Sequence, residues 1–286
     1  MPKKPTAILL LHSPDQRGLV ARISEFVFQN GGNIVHADHH IDTECGLFLM
    51  RVEWELDEFQ IPRDEIAKAF NPIAKKLALS WELHFSDYRQ RMAMMVSKYD
   101  HFLYDLLLRE LSGELPASTA LIIGNHPEME AVAARFQIPF FLFSIGAQNK
   151  AEQERKELEL LAEPKIDLIV LARYMQILSR DFSSRYPNRI INIHHSFLPA
   201  FIGARPYHQA YERGVKLIGA TSHYVTEQLD AGPIIEQDVA RISHRDSVDD
   251  LIRKGRDLER LVLSRAVRLH LESRVLPYGK KTVVFE

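Results

Sequence analysis

Apolar residues along this chain keep two different rhythms, and the change between them falls near residue 90. In the first stretch "AILLLH" reads as a strand over 6–12. The turn- and cap-forming "SPDQRG" then leads into "LVARISEFVFQN", whose apolar positions recur at helical spacing. Gly31 and Gly32 stop that helix. "NIVHADHHID" and "GLFLMRVEWEL" follow as two β-rich runs about a turn at 44–46, a hairpin pattern. A second amphipathic helix is expected over 63–77, and "WELHF" supplies a last strand. The order βαββαβ predicts a compact ferredoxin-like unit in 1–86, joined by a polar bridge at 87–91 to whatever follows.

From 92 onward the strands lose their polar alternation. "MAMMV", "ALIIG", "FFLFS", "DLIVLA" and "RIINIH" are short runs that are wholly or mainly apolar, separated by helical segments. Strands without alternation are buried on both faces, so 92–286 should be an α/β domain with a mostly parallel sheet covered by helices on each side. Ligands in such sheets bind beyond the carboxyl ends of the strands, which places the end of "RIIN" where a site would form. A long helix over 247–271 closes the domain, and the tail after it carries no clear pattern.

Composition narrows the partners. With 286 residues, 46% of them hydrophobic, the chain can bury two ordinary cores. A formal charge of -2 gives no general attraction to nucleic acid or to an anionic membrane, so a small-molecule partner is expected and neither of those is. Cys45 is the only cysteine, which excludes an intrachain disulfide and a multi-cysteine zinc site and fits a reducing, cytoplasmic setting. "MPKKPTAILLLHSPDQRG" imitates a secretory leader, but its apolar run is too short and lacks a small-residue cleavage pattern. No apolar stretch approaches the ~20 residues that cross a bilayer.

The densest chemistry is "NIHHSFLPAFIGARPYHQAY", beginning at Asn192. In extended backbone His194 and His195 point to opposite faces, as do His39 and His40 in "HADHH", so neither pair converges on a metal and no metal or cofactor is expected. Ser196 lies in no "GxSxG" elbow that would make it a nucleophile. Asn192 and His194, two residues apart, share a face: an amide donor and an imidazole addressing one volume suit an oxyanion, and suit equally a polar strand end whose His caps a loop. A second element, "GATSHYVTEQLDAGPIIEQ" from Gly219, puts Asp230 in a turn before Gly-Pro, where it could orient a histidine or simply serve the turn.

The two elements together resemble the folate-dependent formyltransferase domain, as in glycinamide ribonucleotide transformylase and methionyl-tRNA formyltransferase. That resemblance implies a Rossmann-like sheet and a catalytic trio at Asn192, His194 and Asp230. "LARYMQIL" resembles the family segment whose backbone cradles the pterin, which implies substrate contacts from Arg173, Tyr174, Met175, Gln176, Ile177 and Leu178. Gln176 stands where relatives often have Arg, a change of little weight where contacts are main-chain. Ser196, His223 and Val225 are expected to support the substrate, and Tyr207 and His208 to shape the acceptor side.

In the glycinamide branch a Gly-Ser-Asn turn after the first strand holds the acceptor's phosphate. Here Lys98, Tyr99, Asp100 and His101 follow that strand, which implies that water replaces the nucleotide acceptor. The N-terminal unit, with "SPDQRGLVARISEFVFQNGGNI", resembles the ACT domain, an amino-acid-binding and pairing module. On that resemblance Asp15, Arg17, Gly18 and Asn33 would contact an amino-acid effector, and the chain would form a homo-oligomer, a dimer or tetramer. An ACT module before a formyltransferase domain resembles the arrangement of the formyltetrahydrofolate deformylase family. It implies a folate substrate, 10-formyltetrahydrofolate, hydrolysed to formate and tetrahydrofolate. Transfer to an amine, and folate or amino-acid sensing without turnover, are the rival readings.

Overall fold

The computed structural model describes residues 4–146, 148–199 and 206–286. Contacts divide them into two units. The first holds the chain up to Arg89 together with Glu272–Leu276 and Val283–Glu286, and the second holds Gln90–Leu271 and Pro277–Thr282.

In the first unit β1 (Thr6–Pro14), α1 (Leu19–Gln29), β2 (Ile34–Asp42), β3 (Leu47–Glu55), α2 (Ile66–Lys76) and β4 (Ser80–Phe85) realise the βαββαβ order. The strands form one sheet in the order β2-β3-β1-β4 with antiparallel neighbours throughout. Leu9, Leu11, Val52 and Trp54 from the sheet pack with Ile23 and Val27 of α1 and Phe70 of α2. The second helix begins at Ile66, later than its apolar spacing suggested, because the Glu65 N–H closes a tight turn on the Pro62 carbonyl at 2.8 Å.

The second unit runs β5 (Gln90–Val96), α3 (His101–Leu111), β6 (Ala117–Gly124), α4 (Glu130–Arg135), β7 (Phe140–Leu142), α5 (Lys150–Ala162), β8 (Leu168–Ala172), α6 (Arg180–Arg185), β9 (Ile190–His194), α7 (Pro206–Arg213), β10 (Leu217–Tyr224), β11 (Ile234–Arg241) and α8 (Val248–Leu271). Its sheet has the order β11-β10-β9-β8-β5-β6-β7. The five strands from β9 to β7 are parallel, whereas β10 and β11 run antiparallel at one edge. Residues 92–96 and 168–172 are buried throughout, as unbroken apolar runs require. "FFLFS" departs from that expectation: β7 is an edge strand, and Phe141 and Leu142 are 36% and 48% exposed. From β5 the chain builds outward through β6 and β7, then returns to the other side of β5 with β8 and β9. The topological switch point therefore lies between the carboxyl ends of β5 and β8, with β9 the next strand beyond β8.

The tail after α8 forms a two-stranded hairpin, β12 (Val275–Tyr278) and β13 (Lys281–Val284). Its first and last segments cluster with the first unit, although the apolar pattern assigns 92–286 to one domain. Buried Arg51 of β3 supplies a reason. Its guanidinium donates to the Ser273 carbonyl at 3.0 Å and to Glu53 Oε2 at 2.8 Å, satisfying a charge that would otherwise be stranded on an apolar strand.

Candidate active site

Asn192 and His194 close β9, and the two-residue strand period puts them on one face. Antiparallel β10 sets His223 directly opposite Asn192. His223 Nδ1 lies 2.9 Å from the Tyr224 carbonyl, which can only accept, so Nδ1 carries the hydrogen. In the neutral ring Nε2 is then an acceptor, and it faces Asn192 Nδ2 at 3.3 Å. The Asn192 amide is thereby fixed in orientation, with its second N–H left over.

Asp230 arrives from the loop joining β10 to β11. His194 Nδ1 lies 3.2 Å from Asp230 Oδ2, and His223 Nε2 lies 3.6 Å from Oδ1. Hydrogen bonding to His194 above all holds the Asp230 carboxyl far below the usual carboxylate range. His194 Nδ1–H therefore donates to a carboxylate, and its Nε2 is buried with no hydrogen-bond partner among the described residues. The loop reaches this position through left-handed backbone at Asp230, φ 53°, and through Gly232, where a Cβ would stand 1.7 Å from the Tyr224 carbonyl oxygen. Only glycine lets the loop fold back against the end of β10.

A cleft of about 400 Å³, counting its open mouth, adjoins this cluster. Asn192, His223, Val225 and Asp230 line it together with Leu171, Gln176, Ile177 and Leu178. The segment 173–179 is tied down from below. Asn125 Nδ2 donates to the Tyr174 carbonyl at 2.7 Å, the Ser179 N–H donates to Glu154 at 3.1 Å, and Lys150 donates to the Ile177 carbonyl. Arg173 and Met175 both have left-handed backbone, φ 56° and 60°, which breaks strand alternation and turns side chains away from where a regular strand would send them.

Not every expected contact points into the cleft. Tyr174 is buried and donates its hydroxyl to Glu157 at 2.6 Å, and Arg173 Nε lies 3.5 Å from Glu259 Oε2. Met175 is 66% exposed and is not part of the cleft lining. Ser196 is buried, and its carbonyl accepts from the Thr221 hydroxyl at 2.9 Å, tying the segment after β9 to β10. Tyr207 is buried and donates its hydroxyl to Glu259, whereas His208 is exposed.

A family model described as "Formyl transferase" matches residues 90–267. A formyltetrahydrofolate deformylase from Synechocystis sp. is 59% identical over 280 residues, covering 98% of this chain and 98% of the relative. The chain belongs to the formyltetrahydrofolate deformylase family. A solved structure of the family, from Pseudomonas syringae pv. tomato, superposes with a TM-score of 0.98 at 45% identity, covering 100% of this chain and 96% of that one. A glycinamide ribonucleotide transformylase from Symbiobacterium toebii reaches a TM-score of 0.67 at 30% identity, covering 72% of this chain and 98% of that one.

Several features of this deformylase-family site escape sequence reasoning. Thr226 to Asp230 line the cleft as a continuous loop, although only Val225 and Asp230 stood out beforehand. Glu157 and Glu259 sit on helices where a carboxylate ordinarily faces water, yet both are 0% exposed. Burial pushes Glu157 up to about 7 and raises Glu259 as well. Their only signal in the sequence is their place on the apolar stripes of α5 and α8, beside Leu158 and Leu258. The segment after β5 is filled by Tyr99, whose ring lies under the guanidiniums of Arg173 and Arg256 at 5.4 and 5.3 Å. The His101 imidazole is held down to about 4 by burial and then by Arg173, Arg256 and Arg260.

Proposed function

We propose that this chain hydrolyses 10-formyltetrahydrofolate to formate and tetrahydrofolate, with water as the formyl acceptor. The observation that carries the reading is the convergence of Asn192, His194 and Asp230 beside an open cleft, with His194 Nδ1 held 3.2 Å from Asp230 Oδ2. The deformylase relatives, which match this chain almost end to end, support the choice of substrate.

In this mechanism the folate lies in the cleft against Gln176, Ile177 and Leu178 with its formyl carbon beside Asn192. Water attacks that carbon. The free N–H of Asn192 and the imidazolium form of His194 stabilise the oxyanion, and preorganised donors of this kind are effective because they need no rearrangement as charge develops. Asp230 orients His194, offsets the charge on its ring and accepts a hydrogen bond from the attacking water, whose surplus proton passes to solvent as the C–O bond forms. As the tetrahedral intermediate collapses, the C–N10 bond breaks and N10 takes a proton relayed through His194 and solvent, leaving formate and tetrahydrofolate. His223 acts on the reaction by holding the Asn192 amide.

Purified protein given 10-formyltetrahydrofolate without any amine should release formate and tetrahydrofolate in equal amounts. Turnover that depends strictly on an added amine would replace this reading with a transferase, and binding without turnover would replace it with a sensor. The four-stranded N-terminal unit carries the pairing and effector roles in the same proposal. Asp15, Arg17, Gly18 and Asn33 would line an amino-acid site, and paired units would make a dimer or tetramer. Gly18 caps α1 with left-handed backbone, φ 87°, and Asn33 Nδ2 donates to Glu55 Oε2 at 3.0 Å. Calorimetric titration of amino acids and a solution mass test these two points, and an absence of binding or a monomeric mass removes them.

A further inference from the structure

We infer that Glu154 and Glu157 of α5 are positioning residues that hold the 174–179 wall in its folate-binding shape, and that their hold lasts only while the pair keeps one proton. The inference rests on the reading of the cleft as a folate site.

The wall is attached to α5 at both ends. At its start the Tyr174 hydroxyl donates to Glu157 Oε1 at 2.6 Å, and at its end the Ser179 N–H donates to Glu154 Oε1 at 3.1 Å. Between these anchors Lys150, from the first turn of the same helix, donates to the Ile177 carbonyl and stands 3.8 Å from Glu154 Oε1. The cleft-lining residues Gln176, Ile177 and Leu178 are the ones suspended between them. No residue of α5 lines the cleft, so the helix acts on a ligand only through the wall.

Glu154 and Glu157 lie on the buried stripe of α5, at 5% and 0% exposure, and the helical spacing makes them neighbours. Two carboxylates so placed resist ionising together, because each charge loses its hydration and repels the other. Lys150 stands beside Glu154, whereas Glu157 Oε2 is buried with no hydrogen-bond partner among the described residues. The proton therefore belongs to Glu157. Burial raises its pKa to about 7; the Tyr174 hydroxyl opposes the rise and Glu154 adds to it, and these are the titratable groups that act on it.

A carboxyl raised in this way stabilises the closed wall at low pH, and that contribution is lost as the pH rises through the folded-state value. Once ionised, Glu157 reaches water only by opening the Tyr174 tether, and opening it frees the wall against which the folate must lie. Folate binding at alkaline pH therefore has to restore the proton to Glu157.

Tetrahydrofolate, the product, binds without turnover and serves as the probe. Calorimetric titrations in buffers of different ionisation enthalpy give its Kd and the protons taken up on binding. From about pH 6.5 to about pH 9 the wild type should lose about tenfold or more in affinity and take up a proton with the ligand at the alkaline end, because one linked proton changes Kd by up to ~tenfold per pH unit. Glu157→Gln keeps an acceptor for Tyr174 but has no proton to exchange, so both effects should vanish. Glu154→Gln keeps an acceptor for the Ser179 N–H but removes the neighbouring charge, so the midpoint should move to lower pH, a shift that a merely structural contact would not produce. In turnover the same dependence should appear in kcat/KM and not in kcat, which reports the complex already formed. A wild type with constant Kd and no proton uptake would overturn the inference, as would a folded Glu157→Gln protein that keeps the wild-type profile. If Glu157→Gln fails to fold, Glu154→Gln decides, and an unmoved midpoint overturns the inference. No binding of tetrahydrofolate at any pH would remove the folate reading and this inference together, whereas pH-dependent binding without formate release would defeat the hydrolytic reading alone.

Discussion

Replacing Asp230 by asparagine keeps the size and the planar head of the side chain but removes the charge beside His194. At 3.2 Å an imidazolium and a carboxylate attract by roughly 5 kcal/mol at an effective dielectric of ~20. Part of that attraction only offsets desolvation; the part that matters for rate appears as the ring gains charge. Positioned acid–base groups contribute about 100- to 10,000-fold, which is about 3 to 5 kcal/mol at ~1.36 kcal/mol per tenfold. Asp230→Asn should therefore lower kcat for formate release by about 100-fold or more. KM should change far less, because most of the cleft lining is supplied by other residues. Asp230 is held below its ordinary pKa of 3.8, so the stability it confers is present above pH 3.8 and lost as the pH falls further, through the folded-state pKa. At pH 7 the variant should consequently melt somewhat lower than the wild type, while at pH 3 the difference should shrink. A folded Asp230→Asn protein with kcat within about threefold of the wild type would refute the role given to this carboxylate.

Three further outcomes follow from features outside the trio. Glu157 has a folded pKa of about 7 against an ordinary 4.5, so the folded protein keeps a proton that the unfolded chain loses. This stability is full below pH 4.5 and disappears as the pH rises through 7, on the order of 3 kcal/mol in all. Glu157→Gln keeps an acceptor for Tyr174 and should flatten that part of the stability profile in denaturant titrations from pH 4.5 to 8; an unchanged slope would place the titration elsewhere. Gly232→Ala would push a methyl group into the Tyr224 carbonyl, moving the Asp230 loop, and should cost at least about 100-fold in kcat while the N-terminal unit keeps its own melting transition. Deleting 272–286 leaves buried Arg51 without the Ser273 carbonyl and should destabilise the first unit by about 1 to 3 kcal/mol in chemical denaturation; an unaltered midpoint would show that the tail is dispensable to it.

Much of the molecule was legible beforehand, for identifiable reasons. Runs such as "MAMMV" and "DLIVLA" point to burial on both faces, so the mostly parallel sheet was legible, whereas its strand order, and with it the switch point, is not encoded in such runs. Asn192 and His194 are fixed by the strand period, and β10 brings His223 opposite by register. Asp230 was identifiable by its motif but not by physics alone, because its approach depends on left-handed backbone and on a glycine contact that no periodicity encodes. Arg173 and Tyr174 belong to the expected pterin segment, yet their side chains turn to Glu259 and Glu157, since the backbone at 173 and 175 leaves the extended region. Buried carboxylates on α5 and α8 are hidden for a related reason: helical spacing places them correctly but cannot say that a tyrosine waits for each. The tail lacked a pattern because its polar links to the first unit run from Arg51 and His36 to backbone carbonyls, which no side-chain periodicity records.

The central claim is that water, activated between Asp230 and His194, attacks the formyl carbon. A single turnover in ¹⁸O-labelled water, quenched early and read by mass spectrometry of the formate, tests it directly. The account predicts one labelled oxygen in each formate, formed at a rate that added amines do not change. Unlabelled formate, or no formate until an amine is supplied, would contradict it.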